Sequence, residues 1–359
     1  MSNINSEIND IRNISDFKGI SFSKFKKTDV KKELLNSLIQ SKIEPACYWS
    51  AELICSGHYA ELWEIIILFY SKYIHLGNPK IAIYLELRIN NFKEIIRMGY
   101  ANAELRLRNN NKIRQMFCEI MCILCDAKRK HRFDKIKITK NDFDMAHITE
   151  KFKAPHLKYA EDFFMKDDPK EIYLATNEFS YNISEDSRNI VSACFWIEWI
   201  IEFEIMCKTK KEKCKCERRS NIPVDGKYQM DIIWIVWSGF LNESNKRPKI
   251  VQKIIHSLLT LFTLKYAGGC QKRKYILYFI VSILCENIIV QDEIIRESQK
   301  TIVTNILSKI ENIYIQIKKN EISPDTDYLF KDVKNINLEK TIQKLETMNT
   351  FGENFIPRV

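Results

Sequence analysis

Glycine and proline are scarce, nine and eight among 359 residues. Sandwiches and barrels use both in their many turns, so the shortage argues against them and leaves helices with short connections. No apolar stretch reaches the ~20 residues of a membrane-spanning helix. The best candidate, YILYFIVSILCENIIV (275–290), is cut by Glu286 after 11 residues. The opening MSNINSEINDIRNISDFKG is polar and lacks the apolar centre of a secretory signal. There is no G-x4-G-K-[ST] loop, no H-E-x-x-H and no G-x-S-x-G, which removes the commonest signatures of nucleotide hydrolysis, zinc proteolysis and acyl transfer. The six histidines, at 58, 75, 131, 147, 156 and 256, are scattered. The 11 cysteines lack framework spacing. Reduced thiols in a cytosolic or nuclear compartment, with no membrane partner, are the expectation.

What is present reads as helix. Asn78 and Pro79 open one helix that closes before Gly99. Asp168 and Pro169 repeat the device, with Glu171 at the capping-box spacing. Leu62, Ile66, Phe69, Tyr73 and Leu76 recur every three to four residues along one predicted face ending at Gly77. In EPACYWSAELICSGH (44–58), Pro45 lies in the first turn and Gly57 closes the helix. Tyr48 and Trp49 are expected there as packing residues in the core.

The unit Ala46-Cys47-Tyr48-Trp49 reappears as Ala193-Cys194-Phe195-Trp196, each time ahead of a further aromatic-rich helix. This suggests an all-α fold of two helical modules, a possible duplication in the manner of helical repeats. The expected organisation is a polar N-terminal segment (1–19), module 1 (20–125), a basic linker (126–155) and module 2 (156–290). A C-terminal helix (291–322) and a polar C-terminal segment (323–359) follow.

Two cysteine groups invite a chemical reading. Cys118, Cys122 and Cys125 have the C-x3-C-x2-C spacing of radical-SAM clusters. Yet Ile, Met and Leu separate them, and on a helix they form one buried stripe, so core packing is expected. Cys207, Cys214 and Cys216 lie in CKTKKEKCKCERR, where lysines favour thiolate. Their C-x6-C-x-C spacing is not a regular zinc motif, and a fourth ligand would have to come from Cys270 or His256. An exposed basic loop is expected there, and no metal or other cofactor. The Gly268-Gly269 pair beside Lys272, Arg273 and Lys274 reads as a turn.

Charge is the strongest functional signal. Residues 126–140 hold seven Lys/Arg against two Asp, and residues 208–219 hold seven against two Glu. Their combined excess equals the net charge of the whole chain, +10. Phe133 is the only aromatic within them, so phosphate contact is favoured over base stacking.

The stretch EPACYWSAELICSGHYAELWEIIILFYSKYIHLGNP resembles the helical segment that follows the ATPase core in the bacterial MgsA/RarA-type clamp-loader relatives. Ala46, Tyr48, Trp49, Ala51, Gly57, Gly77 and Pro79 carry the resemblance, in order. It implies an all-α collar that oligomerises in a DNA-associated machine. The ATPase portion is absent, so no ATP chemistry is implied. The abundance of Ile, Lys and Asn, as AT-rich codons encode, is similar to that of proteins from large nucleocytoplasmic DNA viruses.

These readings converge on a non-catalytic helical interaction protein in a nucleic-acid-associated complex. Lys128, Arg129, Lys130, Arg132, Lys210, Lys211, Lys213, Arg218 and Arg219 are the expected phosphate contacts. The alternatives are a HEAT-type adaptor for protein partners, of the kind found in translation-initiation scaffolds, and a metal enzyme built on Cys207, Cys214 and Cys216.

Overall fold

The structure is a computed structural model that describes residues 6–100, 103–286, 288, 290 and 293–322. The polar segment expected at 323–359 lies outside the described residues. Thirteen α-helices are found among the described residues, where one antiparallel bridge, Ile20 to Lys26, is the only β-type pairing. In chain order they are α1 (Lys27–Ile39), α2 (Ile43–Cys55), α3 (Tyr59–Phe69), α4 (Ile81–Arg97), α5 (Asn111–Asp126), α6 (Met145–Ile148) and α7 (Tyr173–Ile183). Then come α8 (Ile190–Lys210), α9 (Ile233–Ser244), α10 (Lys249–Thr263), α11 (Lys274–Cys285), α12 (Glu297–Ser308) and α13 (Ile310–Lys318). The fold is all-α, as composition implies. Among the described residues no helix is long and apolar enough to cross a membrane.

α2 ends where its sequence says it should. Gly57 adopts φ +74°, and the amides of Gly57 and His58 close back onto the carbonyls of Ile54 and Leu53. A side chain there would meet the left-handed penalty that glycine avoids. α3 departs from its periodic pattern. After Phe69 the helix widens into a π turn, Tyr70–Ile74. The extra residue per turn rotates the face, so Tyr70 and Ile74 are buried while Tyr73 and Leu76 stay half-buried.

Two expected starts work differently. Asn78 heads α4 through its backbone carbonyl, and its side-chain amide donates to the Glu293 carbonyl at 2.9 Å. The Asp168 carboxylate does not cap α7; it faces Arg219, and a short 3-10 turn, Lys170–Ile172, leads into the helix instead. The single C-terminal helix expected at 291–322 is two, α12 and α13, broken at Lys309.

The closest pairings are α1 with α2, α2 with α5, α7 with α8, and α4 with α10. The last joins the two halves of the chain. Across that seam Glu86 of α4 accepts hydrogen bonds from Ser257 and Thr260 of α10, both at 2.7 Å. The buried apolar residues of both halves form one continuous cluster, from Ile8 to Ile317. The polar N-terminal stretch is part of it. Ile8 and Phe17 are buried, and the Arg12 guanidinium lies 4.7 and 4.6 Å from the Phe17 and Phe22 rings. That stretch meets the other end of the described chain, the Ile11 amide donating to the Ile322 carbonyl at 3.2 Å.

Candidate phosphate-contacting surface and thiol sites

The first basic segment leaves α5 as an extended chain pressed onto the π turn. The amide of Lys130 donates to the Tyr73 carbonyl at 3.1 Å, and that of Phe133 to the Lys72 carbonyl at 3.4 Å. Gly77 permits this approach, since a Cβ there would lie 2.0 Å from the Lys128 carbonyl oxygen. His75 is the pin. It is fully buried, stacks on Phe133 at 4.3 Å, and its Nε2 lies 2.7 Å from the His131 carbonyl. That carbonyl fixes the Nε2 proton and leaves Nδ1 buried without a partner among the described residues. Burial pushes the His75 pKa down to about 4.

Anchored through backbone and apolar groups, the segment turns its cations outward. Lys128, Lys130 and Arg132 are exposed. Lys128 and Lys130 have no ion pair among the described residues, and Arg132 makes only an exposed contact with Asp134 at 3.4 Å. Arg129 does not join them. Its guanidinium donates to the carbonyls of Leu38 and Ile39 and to Ser41 Oγ, capping the end of α1, and lies over the Phe69 ring. The sequence expectation for Arg129 is therefore corrected: three of its N–H groups are engaged inside the molecule.

The second basic segment splits likewise. Lys210, Lys211 and Lys213 at the end of α8 are exposed and unpaired among the described residues. Arg218 is exposed with one weak hydrogen bond, 3.4 Å to the Gly226 carbonyl. Arg219 is the opposite. It is 2% exposed and forms a two-pronged ion pair with buried Asp168, at 2.6 and 3.1 Å. Asp168 also accepts from the amides of Met165 and Glu217. Arg219 is a structural cation, unavailable to phosphate.

The cysteines here are not in an exposed loop, as expected from the surrounding lysines. Cys207, Cys214 and Cys216 are all buried. Cys214 faces Cys207, and burial pushes its pKa up to about 12. Cys216 points elsewhere, its thiol 3.2 Å from the Asp231 carbonyl. The three do not converge, and among the described residues neither Cys270 nor His256 completes a set with them. Their lysine neighbours hid an alternation in which thiols face in and ammonium groups face out.

The second segment continues directly from α8. The linker's later part is held there by Trp199, whose Nε1 donates to the Asp142 carbonyl at 2.8 Å, and Phe143 packs on the same ring at 5.0 Å. Lys210 lies 11 residues further along the helix, about 16 Å away at 1.5 Å per residue. α8 is tied to α11 by buried Glu198, which accepts from Lys274 and Tyr278 at 2.9 and 2.7 Å.

α2 has two distinct faces. Outside, Tyr48 and Trp49 are half-buried, contrary to the expectation of full burial. They line an open groove of about 540 Å³ with Ile306, Lys309 and Ile313 of α12 and α13. Phe25, 45% exposed, meets Trp49 edge-on at 5.7 Å. In the similar unit on α8, Ala193, Cys194 and Trp196 are buried and Phe195 half-buried, so only the tryptophans differ in burial class.

Inside, Cys47 faces Cys118 and Cys122 of α5. The three sulfurs lie within 4.8 Å of one another, and Cys47 and Cys118 are 3.6 Å apart. Hydrogen bonds from Cys118 and Cys47 hold the Cys122 thiol below its ordinary range, whereas Cys118 and Cys122 push Cys47 up. Cys125 stays outside this group. Sequence reading missed the cluster because Cys47 is 71 residues from Cys118 and belongs to another helix.

A second missed feature is a cleft of about 700 Å³ between α3, α4 and α10. Tyr59 and Trp63 line it, and neither the Tyr59 hydroxyl nor Trp63 Nε1 has a partner among the described residues.

Comparison with protein-family models, curated proteins and solved structures finds no match.

Proposed function

We propose that the protein is a non-catalytic helical scaffold in a nucleic-acid-associated complex, contacting the phosphate backbone through its two basic segments. The contacts in this reading are Lys128, Lys130, Arg132, Lys210, Lys211, Lys213 and Arg218. The observation that carries it is the exposure of lysines unpaired among the described residues on two anchored segments, one pinned to the π turn and the other continuing from the end of α8. Surface lysines on a solvated loop would need no such anchoring. Here buried partners fix the backbone, and the ammonium groups have no counterion among the described residues. Phe133, the one aromatic within the two segments, is buried, so the contact is with phosphate and tolerant of sequence.

The test is the salt dependence of duplex binding. A footprint of ~5 phosphates gives a log–log slope near −4 to −5. Changing Lys128, Lys130, Lys210, Lys211 and Lys213 to Glu should flatten the slope while leaving the circular-dichroism spectrum unchanged. Absence of binding at low salt, or an unchanged slope in this variant, would sink the reading.

A second reading, an adaptor for protein partners, draws on the Tyr48–Trp49 groove and the exposed Phe25 beside it. Aromatic rings clustered at an open groove are typical anchors of protein interfaces. The likeness of residues 44–79 to an oligomerisation collar points the same way. Retention of a partner or of self-association by wild type, lost with Trp49→Ala but not with the lysine variant, would favour it.

A further inference from the structure

We propose that Cys47, Cys118 and Cys122 form a three-thiolate site for a soft monovalent ion, copper(I), that clamps α2 to α5. The geometry is close to that of a filled site. Three sulfurs about 2.3 Å from a central ion stand about 4 Å apart in a trigonal plane. The sulfurs here already lie within 4.8 Å of one another, the closest pair at 3.6 Å. Cys118 and Cys122, four residues apart, share a face of α5, and Cys47 closes the triangle from α2.

The donor set selects the ion. Soft thiolates favour copper(I), zinc and iron–sulfur clusters over harder ions. Structural zinc takes four ligands. No His, Asp or Glu joins this group among the described residues, and Cys125, one turn beyond Cys122, lies outside it. Copper(I) is satisfied by three sulfurs. An iron–sulfur cluster on the C-x3-C-x2-C run would need Cys125 in the position that Cys47 takes.

Loading involves no electron transfer. Each thiol that ligates releases its proton to solvent, and copper stays at +1. Because all three residues are buried, at 1%, 2% and 0% exposure, the ion enters during folding or when the α2–α5 seam opens.

The full chain, refolded without oxygen in the presence of copper(I) and then dialysed against a copper(I) chelator, should retain about one copper per chain. X-ray absorption should report three sulfur neighbours, and the thermal midpoint should rise relative to metal-free protein. Cys47→Ser and Cys118→Ser should lose the copper. Cys125→Ala and Cys214→Ser should keep it. The proposal is overturned if the wild type retains no copper, or if fewer than three sulfurs surround it. It is also overturned if Cys214→Ser loses the metal while Cys47→Ser keeps it. Should the triad variants fail to fold, the sulfur count on wild type and the two control variants still decide the matter.

Discussion

His75 and Arg219 are polar residues that folding has turned inward, and each leaves a measurable trace. His75 is held neutral by burial, with the charges of His131 and Lys130 acting in the same direction, although the His131 carbonyl hydrogen bond favours protonation. The unfolded chain takes up a proton near pH 6.5, whereas the folded chain resists until about pH 4. The native state is therefore destabilised as pH falls through that window, by up to about 3 kcal/mol. Urea titrations at several pH values should show this, and His75→Phe should flatten the dependence. Arg219→Met strands a buried carboxylate and should cost roughly 3–5 kcal/mol, read as a lower urea midpoint. Any duplex binding by that folded variant should keep the wild-type salt slope. The tryptophans make a third pair: Trp196→Ala should cost roughly 3–5 kcal/mol, and Trp49→Ala clearly less, because one side of Trp49 already faces solvent. Residue type alone does not reveal these differences. Trp49 and Trp196 occupy matching places in a repeated unit, and only the neighbouring helices decide which is covered.

At the scale of elements, helices and their ends were legible where a local cause sufficed. Gly57 closes α2 and Gly99 follows α4 because positive φ is a property of the residue itself. The π turn was not legible. A five-residue-long widening leaves no mark in a periodic pattern until Tyr70 and Ile74 are seen inside. Nor was the inward turn of Cys214 and Cys216, since the lysines around them dominate any window average. The basic linker was legible in charge but not in how it is anchored. That anchoring predicts a specific sensitivity at Gly77. A methyl group there collides with the Lys128 carbonyl, so Gly77→Ala should lift the linker from the π turn. Hydrogen exchange at the Lys130 and Phe133 amides should accelerate selectively, and stability should fall by roughly 1–3 kcal/mol.

For the molecule as a whole, the all-α class followed from scarce glycine and proline, but the arrangement of halves did not. Contacts distant in sequence, α4 against α10 and the π turn against α11, unite them, and no short-range pattern encodes such pairings. The Tyr70 and Phe279 rings meet edge-on at 5.5 Å, deep in that junction. Residues 6–142 and 143–322 expressed separately should each expose this seam and show reduced near-ultraviolet circular dichroism. Co-refolding the pair should restore the signal. The junction of the described ends has a consequence of a different kind. Beyond the pairing of Ile11 with Ile322, Asp10 accepts from the Ile322 amide at 2.9 Å and Arg12 donates to the Asn320 carbonyl at 3.2 Å. A tension drawn along the chain between residues 9 and 322 falls on this handful of bonds before it reaches any helix, so under force the molecule should yield first as a latch and only later as a body.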